Sequence, residues 1–291
     1  MKNILSSCIA ALILTGCAPE PQNKHVSYEN IVILSDLSSR IDNKPSKDLN
    51  EIKKILEYFK NDCVRPGKKM GDKSSIYFST FSDQDEPHVI DIGSIKDLSK
   101  RQQFINSTGE YTNTGLDSAI IAFEEQAKIA YANIKNQGLD LISVLLEKIE
   151  HGGLIKESTL FTDGIDTTFV KNNNHIYIFT DGYLEYKNMH TNSQFYFGER
   201  EIEKVRNYCR EHNIDIAAAL EKNQDLGLPP SSGNKNKYIN LHVRETHERD
   251  KNDVLQTYKH PKGHRDNEIL EAVWKKWAAE SGFKSFDWKR Y

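Results

Sequence analysis

Six short strand-like runs, most of them rich in β-branched and aromatic residues and interleaved with stretches of helical spacing, restrict this chain to a layered α/β fold. Ile31-Val32-Ile33-Leu34 is continuous and apolar, as a strand covered on both faces must be. Ser75 to Phe81 predicts a second strand, and His88 to Ile92 follows closely enough to be its antiparallel hairpin partner. His175 to Phe179 and Tyr238 to Val243 predict two more, and the Ala-rich run Ile214 to Leu220 reads as a further strand. Between them, Leu49, Ile52, Ile55, Leu56 and Phe59 recur at helical spacing behind Ser46, which is placed to cap them. Helices are also predicted over Leu116 to Ile134, Leu139 to Ile149 with Gly138 as the break, and Glu199 to His212. The last helix carries Ile269, Leu270, Val273, Trp274 and Trp277. Such an order predicts a doubly wound, mostly parallel central sheet with helices on both faces and one antiparallel edge strand, a three-layer Rossmann-type arrangement. In such a sheet the binding crevice lies beyond the carboxyl ends of the strands, here just after Leu34, Phe81 and Phe179.

The first residues are predicted to lie outside that fold. Lys2 precedes an apolar run through Ile9 to Leu14, too short to stay as a spanning helix, so residues 1–16 read as a signal peptide. The ending Leu14-Thr15-Gly16-Cys17 resembles a bacterial lipobox, which implies that Cys17 is acylated and becomes the first residue of the mature chain. By the sorting rule of proteobacterial lipoproteins, Ala18 favours the outer membrane. Residues 17–29 are polar and contain Pro19 and Pro21, so they read as a lipidated tether, leaving 30–291 as one domain. Of the remaining cysteines, Cys63 and Cys209 are either bridged, as an exported compartment permits, or two buried thiols. Lys+Arg number 39 against Asp+Glu 42, a balance that gives no general attraction to nucleic acid.

The strand ends carry the chemistry. After the first strand comes Ser35-Asp36-Leu37-Ser38-Ser39-Arg40, and after the later one Thr180-Asp181-Gly182. Between them lies the polar loop Glu110-Tyr111-Thr112-Asn113-Thr114-Gly115. This set resembles the von Willebrand factor A domain, whose metal-ion-dependent adhesion site uses Asp-x-Ser-x-Ser, a loop threonine and a later strand-end aspartate. Asp36, Ser38, Thr112 and Asp181 match in order, and the strand Tyr77 to Phe81 followed by Ser82 is similar to that family's second strand. The resemblance covers Asn30 to the C-terminal helix. It implies a noncatalytic recognition module that engages an envelope or surface protein, through a metal and an acidic residue of the partner. The donor set is all oxygen, which suits Mg²⁺, with Mn²⁺ or Ca²⁺ as alternatives.

The third position of the motif departs from the pattern, because Arg40 has no oxygen to give and a permanent positive charge. Three outcomes stay open: Arg40 turns outward, Ser39 supplies the missing hydroxyl, or the Arg40 guanidinium replaces the cation and pairs with Asp36 or Asp181. Thr114 stands close enough in sequence to contact a ligand. Thr162-Asp163-Gly164 with Asp166 competes for the role of Asp181, but Ile176 to Phe179 is the cleaner strand and Asn172-Asn173-Asn174 reads as the turn before it. His151 to Asn174 is then an insertion, with Asp163 and Asp166 as solvated turn residues. His242, His247, His260 and His264 lack the spacing of a zinc site and read as surface residues, and the tail aromatics Phe283, Phe286, Trp288 and Tyr291 as packing under the last helix. Two other functions remain: a Mg²⁺-dependent hydrolase of phosphate esters, and a metal-free structural component of an envelope complex. Against the hydrolase, the sequence has no Asp-x-Asp pair after the first strand, no Gly-x-Ser-x-Gly elbow and no phosphate-cradling Gly-Lys-Ser/Thr loop.

Overall fold

The computed structural model describes residues 23–37, 45–81, 87–133, 139–163, 166–186, 194–252 and 254–290. In chain order the elements are β1 (Asn23–Ser35), α1 (Pro45–Tyr58), β2 (Ser75–Thr80), β3 (His88–Asp91), α2 (Leu98–Asn106), α3 (Leu116–Ala132), α4 (Leu141–Glu150), β4 (Thr159–Asp163) and β5 (Asp166–Thr180). They continue with α5 (Glu199–His212), α6 (Ile216–Lys222), β6 (Ile239–Glu245), the short pair β7 (Lys251–Asn252) and β8 (Thr257–Tyr258), α7 (Asp266–Glu280) and β9 (Ser285–Arg290).

The central sheet runs β3-β2-β1-β5-β6-β9, parallel throughout except for β3, the antiparallel edge. Side chains of β1 alternate between two cores. Val32 and Leu34, with Ile176, Ile178, Leu241 and Val243, face α4, α5, α6 and α7. Ile31 and Ile33, with Ile76, Phe78 and Phe179, face α1, α2 and α3. Helices on both faces of a mostly parallel sheet make the three-layer α/β architecture that the pattern of runs predicts.

β1 and β5 are much longer than the apolar runs that signal them. Residues 30–35 of β1 pair with β2 and with the upper half of β5, whereas 23–29 continue below the sheet beside 167–173 of β5. On the other side of β5, β6 pairs with 174–180 and β4 with 166–170, so the two share one edge of β5 end to end. The lower storey is thus a three-stranded ribbon, β1-β5-β4. Asn30 and Asn174 mark the junction: buried, they bond each other at 2.8 Å and Asn30 also donates to the Leu154 carbonyl at 2.7 Å. Asn172 to Asn174 are ladder residues paired with Tyr28 to Asn30 of β1 and not a turn, and their side-chain amides donate to the Glu157 carbonyl, to Glu29 and to the Lys156 carbonyl. Residues 23–29 belong to a strand as well, although their polarity reads as a tether. Asp163 and Asp166, read as turn residues, are the last residue of β4 and the first of β5, paired with each other across that hairpin.

Two further differences have local causes. The Ile214 to Leu220 run is a helix, α6, because Asp215 caps it by accepting from the Ala218 amide at 2.8 Å and its alanines favour helix. Of the tail aromatics, Phe286 and Trp288 lie on β9 and turn into the α7 core with Phe283, while Tyr291 lies outside the described residues. Cys63 and Cys209 are free and buried in the two different cores, so the sheet itself separates them. Burial pushes the Cys63 thiol up to about 12. Neither thiol should react with an alkylating reagent at neutral pH until denaturant is added, as intact mass would record; rapid modification of either in the folded protein would contradict this packing.

Candidate functional site

The carboxyl ends of β1 and β5 lie side by side and each carries an aspartate. Asp36 leaves β1 with its amide bonded to the Phe179 carbonyl at 2.8 Å, and its Oδ2 accepts from Thr180 Oγ1 at 3.3 Å. Asp181, one residue beyond Thr180, is 1% exposed. Its Oδ1 accepts from the Tyr183 amide at 3.1 Å. Its Oδ2 is taken by Arg249, whose Nε and Nη2 both stand at 2.6 Å. Arg249 arrives from the segment after β6, bonds Glu185 through Nη1 at 2.7 Å and lies over the Tyr183 ring at 3.9 Å. The two carboxylates outweigh burial and hold its pKa above the ordinary arginine value.

The network goes on inward. Tyr183 donates its hydroxyl to Asp266 at 2.6 Å, and Asp266, at the start of α7, pairs with Arg206 of α5, which also holds Glu203. Gly182, at φ +84°, lets the chain pass under Trp288; a Cβ there would meet the indole at 2.6 Å. Trp274 Nε1 donates to the Gly182 carbonyl at 2.9 Å. Beside the end of β5, where an open α/β sheet leaves its crevice, the described residues set edge-to-face tryptophans and paired charges.

Of the residues that the sequence brings forward, Asp36 and Asp181 are placed together. Thr112 is not. Its hydroxyl bonds the Gly109 carbonyl at 2.8 Å, just ahead of α3, whose first turn carries Asp117 paired with Lys60 at 2.7 Å. It is the far end of the 17-residue α3 that reaches the strand ends, where Tyr131 donates to Ser35 Oγ at 3.0 Å. A helix of that length spans about 25 Å, so Thr112 and the neighbouring exposed Thr114 sit at the opposite end of the sheet from Asp36. Ser38, Ser39, Arg40 and Cys17 lie outside the described residues.

This arrangement does not fit an adhesion-type Mg²⁺ site. The loop threonine is remote, and a dication on Asp181 Oδ2 would sit against the guanidinium already bonded there. Among the described residues no group of three or more His, Cys, Asp or Glu is arranged to hold a metal ion. Arg249 was not legible as a site residue: Glu248-Arg249-Asp250 reads as a solvated charge run, and only its position after a strand pointing at the same crevice could have marked it.

Two other buried polar groups escaped the sequence. His242 faces the sheet surface opposite α7, with Nε2 3.0 Å from His175 Nδ1 and its ring stacked on Tyr177 at 4.5 Å. Burial, then His175 and Arg244, push its pKa down to about 4, so it is a half-buried neutral ring rather than a surface histidine. Glu245, at the end of β6 and 3% exposed, accepts from Trp288 Nε1 at 2.9 Å and lies 3.3 Å from Arg290 Nε. Burial outweighs these partners and raises its carboxyl from 4.5 to about 7.

No protein family matches the chain, and no curated protein matches it either. Among solved structures, the crystal structure of the human COPII-coat protein Sec24c is similar over 94% of this chain and 30% of that one, at 9% identity and a TM-score of 0.31. The chain thus spans about a third of that protein's length, and a likeness this slight carries no argument.

The Glu245 carboxyl gives a pH signature. Between its unfolded value of 4.5 and its folded value of about 7 the native state holds a proton that the unfolded chain releases, so stability falls as pH rises through that window. Glu245→Gln should remove that fall, worth about 3 kcal/mol at most, and urea unfolding at about pH 5 and about pH 8 checks it. Equal pH dependence in the variant and the parent would contradict it.

Proposed function

We propose that the chain is a lipid-anchored binding module of the cell envelope, built on a von Willebrand factor A-like domain that engages a protein partner without turning over a substrate. The observation that carries this reading is the Asp181–Arg249–Glu185 cluster: the strand-end carboxylate is neutralised by the chain's own guanidinium. An ion pair of this kind occupies Asp181 Oδ2 with the chain's own cation, so that carboxylate is not free to serve as a metal ligand or general base. A strand end tied up in this way suits a scaffold surface. A guanidinium thus stands on Asp181 in place of a cation, but it comes from Arg249, which the sequence reading does not name; Arg40 lies outside the described residues. Cys17 as the lipid-bearing residue and the outer membrane as the location follow from the lipobox and Ala18.

Calorimetric titration of Mg²⁺, Mn²⁺ and Ca²⁺ should give no heat, and p-nitrophenyl phosphate with Mg²⁺ should not be hydrolysed. Heat or turnover that disappears in both Asp36→Ala and Asp181→Ala would overturn the metal-free reading and restore the adhesion or hydrolase alternative. For the anchor, the chain should partition into the detergent phase of Triton X-114, and Cys17→Ser should lose the acyl mass; a parent without acyl mass would overturn it.

A further inference from the structure

The ribbon at the opposite end of the sheet exposes large apolar side chains on both of its faces. Leu160 and Phe161 of β4 are 61% and 62% exposed, and Phe169 of β5 is 38% exposed. Registry places them. Leu160 stands beside Phe169, which stands beside His25, and the His25 and Phe169 rings stack at 4.7 Å. Phe161 stands beside Thr168, which stands beside Lys24. Consecutive residues of a strand point to opposite faces, so Leu160 and Phe161 present the outer edge of β4 as an apolar rim. A cavity of about 530 Å³ opens on the face of the ribbon that carries His25, Leu160 and Phe169. Open strand edges carrying exposed apolar residues are liabilities that proteins cover, so this rim has an occupant.

The course of the chain says which. The rim lies in the same rows as residues 23–25, and strands two apart in a sheet are about 10 Å apart. Cys17 precedes Asn23 by six residues, a reach of about 20 Å when fully extended. The end of the fold that bears the apolar rim is therefore the end that a lipid on Cys17 would hold against a bilayer. We propose that the β4 edge, through Leu160 and Phe161 with Phe169, rests in the interfacial layer of the membrane that anchors the chain. This rests on the lipid-anchor reading above and adds to it an orientation: the ribbon faces the bilayer and the packed carboxyl end of β5 faces away. Exposed Lys24 and Lys171 flank the apolar residues, within reach of lipid phosphates.

The test uses the full chain purified from membranes and reconstituted into vesicles of phosphatidylethanolamine and phosphatidylglycerol containing brominated phosphatidylcholine. Tryptophan is introduced by Leu160→Trp, by Phe161→Trp and, as a remote control, by Val254→Trp between β7 and β8, where the parent side chain is 90% exposed. After subtraction of the emission of the parent, whose Trp274 and Trp277 are buried, the signal at 160 and 161 should fall by about half on exposure to bromine while that at 254 is unchanged. Acyl mass on Cys17 is measured on the same samples. Acylated protein whose 160 and 161 signals behave like that of 254 overturns the ribbon contact while leaving the anchor standing. Protein with no acyl group on Cys17 overturns the anchor, and the proposed orientation with it.

Discussion

A carboxylate with 1% exposure at the end of the central strand has to be answered by a positive charge, and the chain answers it with Arg249. An ionised group taken out of water without a partner costs several kcal/mol, so much of the upper half of the molecule is arranged to deliver that guanidinium. The segment after β6 turns back across the strand ends to bring it, held by the bond from the Thr246 amide to the Thr180 carbonyl at 3.0 Å. Tyr183 supports it from beneath and ties it to Asp266 and Arg206, which links α7 and α5 into the same assembly. In the proposed reading, Arg249 is a covalently tethered cation standing where the family that the sequence resembles sets a metal.

That substitution gives the molecule two unlike ends. The carboxyl end of β5 is charged and packed, with Trp288 seated over Gly182 and the Asp181 and Glu185 carboxylates paired to Arg249. The amino ends extend into a ribbon whose edge is apolar and uncovered. A lipid anchor six residues ahead of that ribbon would place it against the membrane and turn the packed end outward, where a partner could reach it. One sheet would thus serve both attachment and recognition, with β5 running through both storeys.

What could be read from the sequence follows from burial. Ile31 to Leu34 and Ile176 to Phe179 are covered on both faces, and continuous apolar runs report that directly. Residues 23–29 and 166–173 form strands exposed on their faces, and their polar sequence looks like tether and loop because nothing apolar is required of them. The Ala-rich run before Leu220 was ambiguous for the reason short apolar runs always are; the cap at Asp215 decides it. In β9, Phe286 and Trp288 alternate with Asp287 and Lys289, a signal present but hidden so close to a helix of similar aromatics. At the site, Asp36 and Asp181 were legible because residues just after parallel strands converge. Thr112 was misplaced because motif order does not say at which end of a helix a loop lies, and Arg249 left no local trace.

The central claim is that Arg249 neutralises Asp181 in place of a metal, and a double-mutant cycle measures it. Asp181→Asn, Arg249→Met and the pair together are unfolded in urea, with and without Mg²⁺. The account predicts that each single change costs about 3–5 kcal/mol, that the pair costs less than their sum by about 2 kcal/mol or more, and that Mg²⁺ restores none of it. Costs that simply add to within about 0.5 kcal/mol, or an Arg249→Met protein rescued by Mg²⁺, would contradict it.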